Sequence, residues 1–165
     1  MTFLEFTELL PKVKNSILPG EAAHSIMSPP ERIVKMKTID WSAINPKKAA
    51  VLMLVYPKDG QAVLALIERN SYKGVHSSQI AFPGGKIESF DTSELDTALR
   101  ETEEEIGVPR EQIVFASALT EVYIPPSNFC VWPFLGYCMH TPLFIPDSRE
   151  VASIIELPLA DLLND

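Results

Sequence analysis

The segment from Phe82 to Val108 constrains this chain more than any other. A short apolar run, Ser78-Gln79-Ile80-Ala81, ends in Phe82-Pro83-Gly84-Gly85. Beyond it lies a stretch that carries Arg100, Glu101, Glu103, Glu104 and Glu105 within six positions. Pro83 fixes one φ angle and the paired glycines open conformations that a side chain forbids, so the run reads as a strand ending in a tight turn. Asp91 and Glu94 have the spacing of a capping box, which predicts a helix starting near Thr92. Gly107, followed by Pro109, supplies its stop. At about 100° per residue, Leu95, Leu99, Thr102 and Ile106 share one stripe, with Ala98 at its edge. Glu101, Glu104 and Glu105 form a second stripe roughly 130° away. The helix is expected to bury the first and present three carboxylates on the second. Arg100 is placed to pair with a loop acid and fix the loop on the helix.

Packed like charges repel, and each half of this segment has a bland explanation in isolation. An acidic helix face is ordinarily solvated, and Pro-Gly-Gly is ordinarily a turn. Joined at this distance they describe something narrower. Hard oxygen ligands gather where a divalent cation sits, and a backbone without Cβ lets a carbonyl or amide approach a metal or phosphate oxygen.

The stretch resembles the Nudix box, G-x5-E-x7-R-E-U-x-E-E-x-G-U with U apolar. Gly85, Arg100, Glu101, Glu104, Glu105, Gly107 and Val108 match it. Asp91 stands in place of the first Glu, one extra residue separates it from Arg100, and Thr102 replaces an apolar residue. The first two departures are similar to the coenzyme A pyrophosphatase branch of that family, in which an upstream motif L-L-T-x-R-(S/A)-x3-R-x3-G-x3-F-P-G-G also occurs. Arg69 and Phe82 to Gly85 fit that motif, whereas Asn70, Gly74 and Ser78 depart from it. Leu18 to His24, with Met27, Pro29, Pro30 and Arg32, and Pro125 to Phe129 leading into Val131-Trp132-Pro133-Phe134, are similar to the same branch.

The resemblance implies an α/β fold, a Nudix-type α/β/α sandwich with a mixed β-sheet. It also implies hydrolysis of a nucleoside-diphosphate-linked substrate with Mg²⁺ or Mn²⁺, here coenzyme A or an acyl form, giving 3′,5′-ADP and 4′-phosphopantetheine. ADP-ribose or a dinucleotide is the alternative substrate, and a silent nucleotide- or partner-binding module the alternative role. Glu101, Glu104 and Glu105 are the expected side-chain ligands, with the Gly85 carbonyl beside them. Glu104 or Glu101 is the expected base, assisted by Arg100, and Glu150 is the candidate from a later loop. Arg69, Lys73, His76 and Asn128 are candidate substrate contacts; surface charge for the cations and a structural role for a lone histidine are the competing readings. Tyr123 and Phe129 are candidate pocket residues, and Trp41 and Trp132 read as packing. Members of the branch continue beyond the equivalent of Asp165, so a C-terminal helix is expected to be missing; a homodimer is the expected assembly.

The rest of the chain sets bounds. One domain is expected over 1–165, with a helical extension over about 1–45. Within it, Phe3 to Leu18 reads as a docking helix interrupted by Pro11. A net charge of −8 argues against a nucleic-acid backbone as partner, though not against a phosphorylated substrate beside a cation. No apolar run has membrane-spanning length and no secretory signal is seen, so a cytoplasmic protein without a membrane partner is expected. Cys130 and Cys138 are then free thiols. Ala49 to Tyr56 and Gln61 to Glu68 read as a hairpin joined by Pro57-Lys58-Asp59-Gly60. Further strands are expected over Ile113 to Leu119, Asn128 to Cys138 and Val151 to Glu156, with a helical turn over Leu157 to Leu163.

Overall fold

A computed structural model describes residues 1–40, 43–70 and 79–163. Its centre is β1 (Lys47–Lys58), whose alternate residues are buried on opposite faces. Ala50, Leu52, Leu54 and Tyr56 join one core, and Met53 and Val55 the other. A strand covered on both faces has to be apolar throughout, which is why Ala49 to Tyr56 shows so little polar alternation.

The sheet is mixed. β1 runs parallel to β7 (Phe129–Cys138) on one edge, and β7 pairs antiparallel with β5 (Ile113–Ala118) and β6 (Val122–Ile124). On its other edge β1 is shared. Its outer half, Leu54 to Lys58, pairs with β2 (Gln61–Arg69), and its inner half, Ala49 to Val51, pairs with the three-residue β4 (Gly84–Lys86). Between the two, the Leu52 amide donates to the Pro83 carbonyl at 2.8 Å. The glycine loop is thus stitched into the central strand. β2 pairs with β8 (Val151–Pro158) on its far edge, and beyond β1 its near edge pairs with β3 (Ile80–Ala81).

Helix α4 (Glu94–Ile106) covers the face of Ala50, Leu52 and Leu54, and α1 (Phe3–Asn15) covers the opposite one with Phe6 and Leu10. The short helices α2 (Glu21–Met27), α3 (Pro30–Lys37) and α5 (Leu159–Leu163) and a 3-10 turn at Arg110–Gln112 are also present. This is the expected α/β/α sandwich. Helix α1 passes through Pro11 without a break, correcting the expected interruption. Thr2 and Glu5 cap it reciprocally, and the Phe3 amide bonds the Gly60 carbonyl, tying it to the β1–β2 turn. That turn is tighter than expected. Only Asp59 and Gly60, both with positive φ, stand between Lys58 and Gln61, because Pro57 stays in register opposite Ala62. Both cysteines are free. Among the described residues no helix is long and apolar enough to cross a membrane.

Candidate active site

Helix α4 begins at Glu94, two residues later than its sequence suggests. Ser93 is the cap, its hydroxyl accepting from the Asp96 amide at 3.1 Å. Asp91 is drawn away from capping because its carboxylate has better partners. It accepts from the Glu88 amide, the Thr97 hydroxyl and both the Nε and Nη2 of Arg100, all within 3.0 Å. Gly107 ends the helix in the left-handed conformation, φ 71°, as its position implied.

The rotation of the helix also differs from the simple stripe. Thr97, Ala98, Thr102, Glu105 and Ile106 are its buried residues, whereas Leu95 and Leu99 are half-buried. Thr102 fits an apolar position because its hydroxyl bonds the Ala98 carbonyl at 2.7 Å. Glu105 was expected on the open acidic face and is instead only 1 % exposed. What holds a carboxylate there is the glycine loop: the Gly84 amide donates to Oε2 at 2.7 Å, and Arg69 Nη1 donates to Oε1 at 3.0 Å. Burial pushes this carboxyl up to about 7; the Gly84 amide and Arg69 oppose the rise, and Glu101 and Glu150 add to it.

The three acids are therefore graded by depth. Glu105 lies inside, Glu101 has a side chain 15 % exposed, and Glu104 reaches solvent at 59 %. Arg100 links the outer two, its Nη1 lying 2.9 Å from Glu101 and 3.0 Å from Glu104, while Nη2 reaches the Lys86 carbonyl. Burial raises the Glu101 carboxyl too, opposed by Arg100 and assisted by Glu104 and Glu150. Gly85 is needed for this packing, since a Cβ there would lie 2.4 Å from the Glu101 carboxyl carbon. At Gly84, φ is 151° and a Cβ would meet the Ala50 carbonyl oxygen at 2.3 Å.

Glu150 arrives from the far end of the chain. The Ile145 amide bonds the Ile106 carbonyl and the Asp147 amide bonds the Glu105 carbonyl, so the segment before β8 is pinned to the end of α4. The Asn70 amide then holds the Glu150 carbonyl at 2.9 Å. Its side chain is exposed, yet it lies within electrostatic reach of Glu101 and Glu105. Arg69, a candidate for substrate contact or for surface charge, is a partner of Glu105. Asn128 has partners within the protein. It occupies a turn with φ 55°, its side chain accepting from the Tyr123 hydroxyl and donating to the Asn45 carbonyl. Phe129 beside it lines a cleft, as do Ser127, Arg69, Phe82, Gly84 and Gly85; the volume is about 700 Å³. Lys73 and His76 fall outside the described residues.

Hard oxygen donors at three depths, two of them desolvated and mutually repelling, are the donor chemistry a Mg²⁺-class cation takes. In the arrangement present, two guanidiniums supply the opposing charge. Among the described residues no three His, Cys, Asp or Glu side chains converge on one point. The donor types, carboxylate oxygens beside a glycine backbone, suit a divalent cation.

Comparison with known proteins agrees with this geometry. A profile of the NUDIX domain matches residues 46–165. The chain belongs to the NUDIX domain family. Curated relatives include the uncharacterized Nudix hydrolase NudL of Citrobacter koseri, 33 % identical over 126 residues, covering 76 % of this chain and 65 % of that protein. NudL of Yersinia enterocolitica is 34 % identical over 120 residues, covering 73 % of this chain and 60 % of its own. The chain thus spans less than two thirds of the length of these relatives. Among solved structures, the Nudix hydrolase RenU of M. smegmatis aligns with a TM-score of 0.58 at 24 % identity, covering 70 % of this chain and 74 % of that one. The NUDIX domain of Shewanella oneidensis NrtR, complexed with ADP ribose, aligns at 0.56 and 19 %, covering 79 % and 85 %. Nudix hydrolases generally use divalent metals and bind small nucleotide substrates. In this Nudix domain, the Asp91–Arg100 pairing was legible as a loop acid meeting the helix. The Gly84 amide under Glu105 and the closure by Ile145 to Glu150 were missed, and no local sequence signal marks either.

Proposed function

We propose that this Nudix chain hydrolyses the diphosphate linkage of coenzyme A or an acyl form of it, releasing 3′,5′-ADP and 4′-phosphopantetheine. The observation that carries the hydrolase reading is the graded set Glu105, Glu101 and Glu104, lodged against Gly84 and Gly85 at the edge of the cleft. A module that only bound nucleotide would have no use for desolvating two carboxylates side by side. The one-residue expansion between Asp91 and Arg100 supports the coenzyme A substrate.

Glu101, Glu104 and Glu105, with the Gly85 carbonyl, would hold Mg²⁺ or Mn²⁺, which when bound neutralises diphosphate charge and acidifies water. Arg100 keeps Glu101 and Glu104 in place. Glu104 or Glu101 takes the proton from the attacking water, with Glu150 the third candidate. The water oxygen bonds to phosphorus as the bridging P–O bond breaks. Arg69 serves the substrate phosphates from the cleft side. ADP-ribose is the second reading, favoured by the fold shared with the ADP ribose complex of NrtR.

Incubation with coenzyme A, ADP-ribose and a dinucleotide in Mg²⁺ or Mn²⁺, with products resolved by chromatography, separates these readings. Turnover of coenzyme A is expected to be the fastest. The double variant Glu104→Gln, Glu105→Gln is expected to lose on the order of 10³-fold in rate. Turnover of no diphosphate would defeat the enzyme reading, and full activity in the double variant would defeat the site.

A further inference from the structure

We propose that Arg69 occupies a cation's place at Glu105 while the site is free, and gives it up to a divalent cation, turning into the cleft to meet the substrate's diphosphate. This rests on the metal-dependent reading above. Glu105 is buried and has two oxygens. Oε2 is taken by the Gly84 amide, a backbone group fixed in the β1–β4 ladder. Oε1 is the one left for a cation, and the Arg69 guanidinium is on it at 3.0 Å. A guanidinium and a divalent ion on the same oxygen repel, which favours displacement of one of them on loading.

Arg69 is built to leave. It stands at the end of β2, where the pairing with β8 slips register between Glu68 and Arg69. Its side chain is 24 % exposed and lines the cleft. Among the described residues, Glu105 is its one ion-pair partner. Arg100 cannot make the same exchange, because Asp91 grips it with two bonds and the Lys86 carbonyl with a third. Once off Glu105, the Arg69 guanidinium faces a cleft whose wall also carries Lys86, and a diphosphate there is its natural counter-ion. Cation and substrate then assist each other's binding through one side chain, and the assistance is reciprocal.

The test is Mn²⁺ affinity of the substrate-free full chain, followed by the paramagnetic resonance of free Mn²⁺. Arg69→Gln is expected to tighten Mn²⁺ binding by about 5- to 20-fold, within the usual range of such couplings. Glu105→Gln is expected to weaken it. Arg69→Lys, which keeps the charge on a shorter reach, is expected to fall between wild type and Arg69→Gln, and decides the matter should the glutamine variant not fold. In steady state Arg69→Gln is also expected to raise KM for the hydrolysed diphosphate. Unchanged or weaker Mn²⁺ binding in both Arg69 variants overturns the exchange while leaving the metal site standing. Absence of Mn²⁺ binding by the wild-type chain overturns both.

Discussion

Two arginines hold the acids of α4, and they are held very differently themselves. Arg100 sits in a closed clasp: Asp91 takes two of its donors, the Lys86 carbonyl another, and the Phe90 ring lies 5.4 Å from the guanidinium carbon. Arg69 has a single bond to Glu105 and an open cleft beside it. The contrast shows that an ion pair's contribution depends on the partner behind it. Arg100 is an internal strut because a buried carboxylate, 1 % exposed, depends on it. Arg69 meets Glu105 through one bond at the wall of a cleft, so it is free to be exchanged.

Breaking the strut is expected to have the largest effect on stability. Asp91→Asn leaves Arg100 without its buried counter-charge and is expected to cost about 3 kcal/mol in urea denaturation. The same variant checks the sign of a pH effect. Arg100 holds the Asp91 carboxyl well below the usual carboxylate range, with the Glu88 amide and Thr97 assisting. A depressed native pKa contributes stability in full above the unfolded value of about 3.9, and loses it as pH falls toward the native one. Wild type is therefore expected to lose stability more steeply than Asp91→Asn as pH drops from about 5 to about 2. Parallel acid limbs in the two proteins would show that Asp91 is not the strut.

How far this contrast could be read from sequence is instructive. The spacing from Gly85 to Gly107 located the helix, its acids and the loop, and the apolar run from Ala49 to Tyr56 announced a hairpin strand, though not that it is the central one. The depth order of the acids was hidden. It depends on which way α4 rolls on the sheet, where Glu105 meets the Gly84 amide 21 residues away in sequence, itself held by the pairing of β4 with Ala49 to Val51 of β1. The turn at Asn128 was hidden for a related reason. A polar residue before an aromatic run reads equally as a ligand contact or as a left-handed turn, and only the partners Tyr123 and Asn45 decide. Composition and period describe single elements, whereas these features arise where two elements meet.

A milder perturbation acts on the middle of the gradient. In Gly85→Ala the new Cβ meets the end of the Glu101 side chain, which can swing aside. The expected cost in denaturation is about 1 kcal/mol, far below Asp91→Asn. Turnover should fall more than stability does, because the group displaced is one proposed to hold the metal or take the proton from the attacking water. Equal losses in both would make Gly85 a packing residue only.

The smallest expected effect on stability is the most discriminating. Glu104 pairs with the same Arg100 at 3.0 Å, yet its side chain is 59 % exposed. Water solvates that carboxylate whether or not the arginine is near, and exposed pairs one helical turn apart contribute only a few tenths of a kcal/mol. Glu104→Gln is therefore expected to shift the urea midpoint by no more than about 0.5 kcal/mol in stability. Arg100 would remain clasped by Asp91, so the fold has little reason to notice the change. If turnover nevertheless drops by two orders of magnitude or so, the loss belongs to the reaction and not to folding. If stability falls as far as in Asp91→Asn, the depth gradient is wrong, and the outer and inner acids of α4 are one structural network.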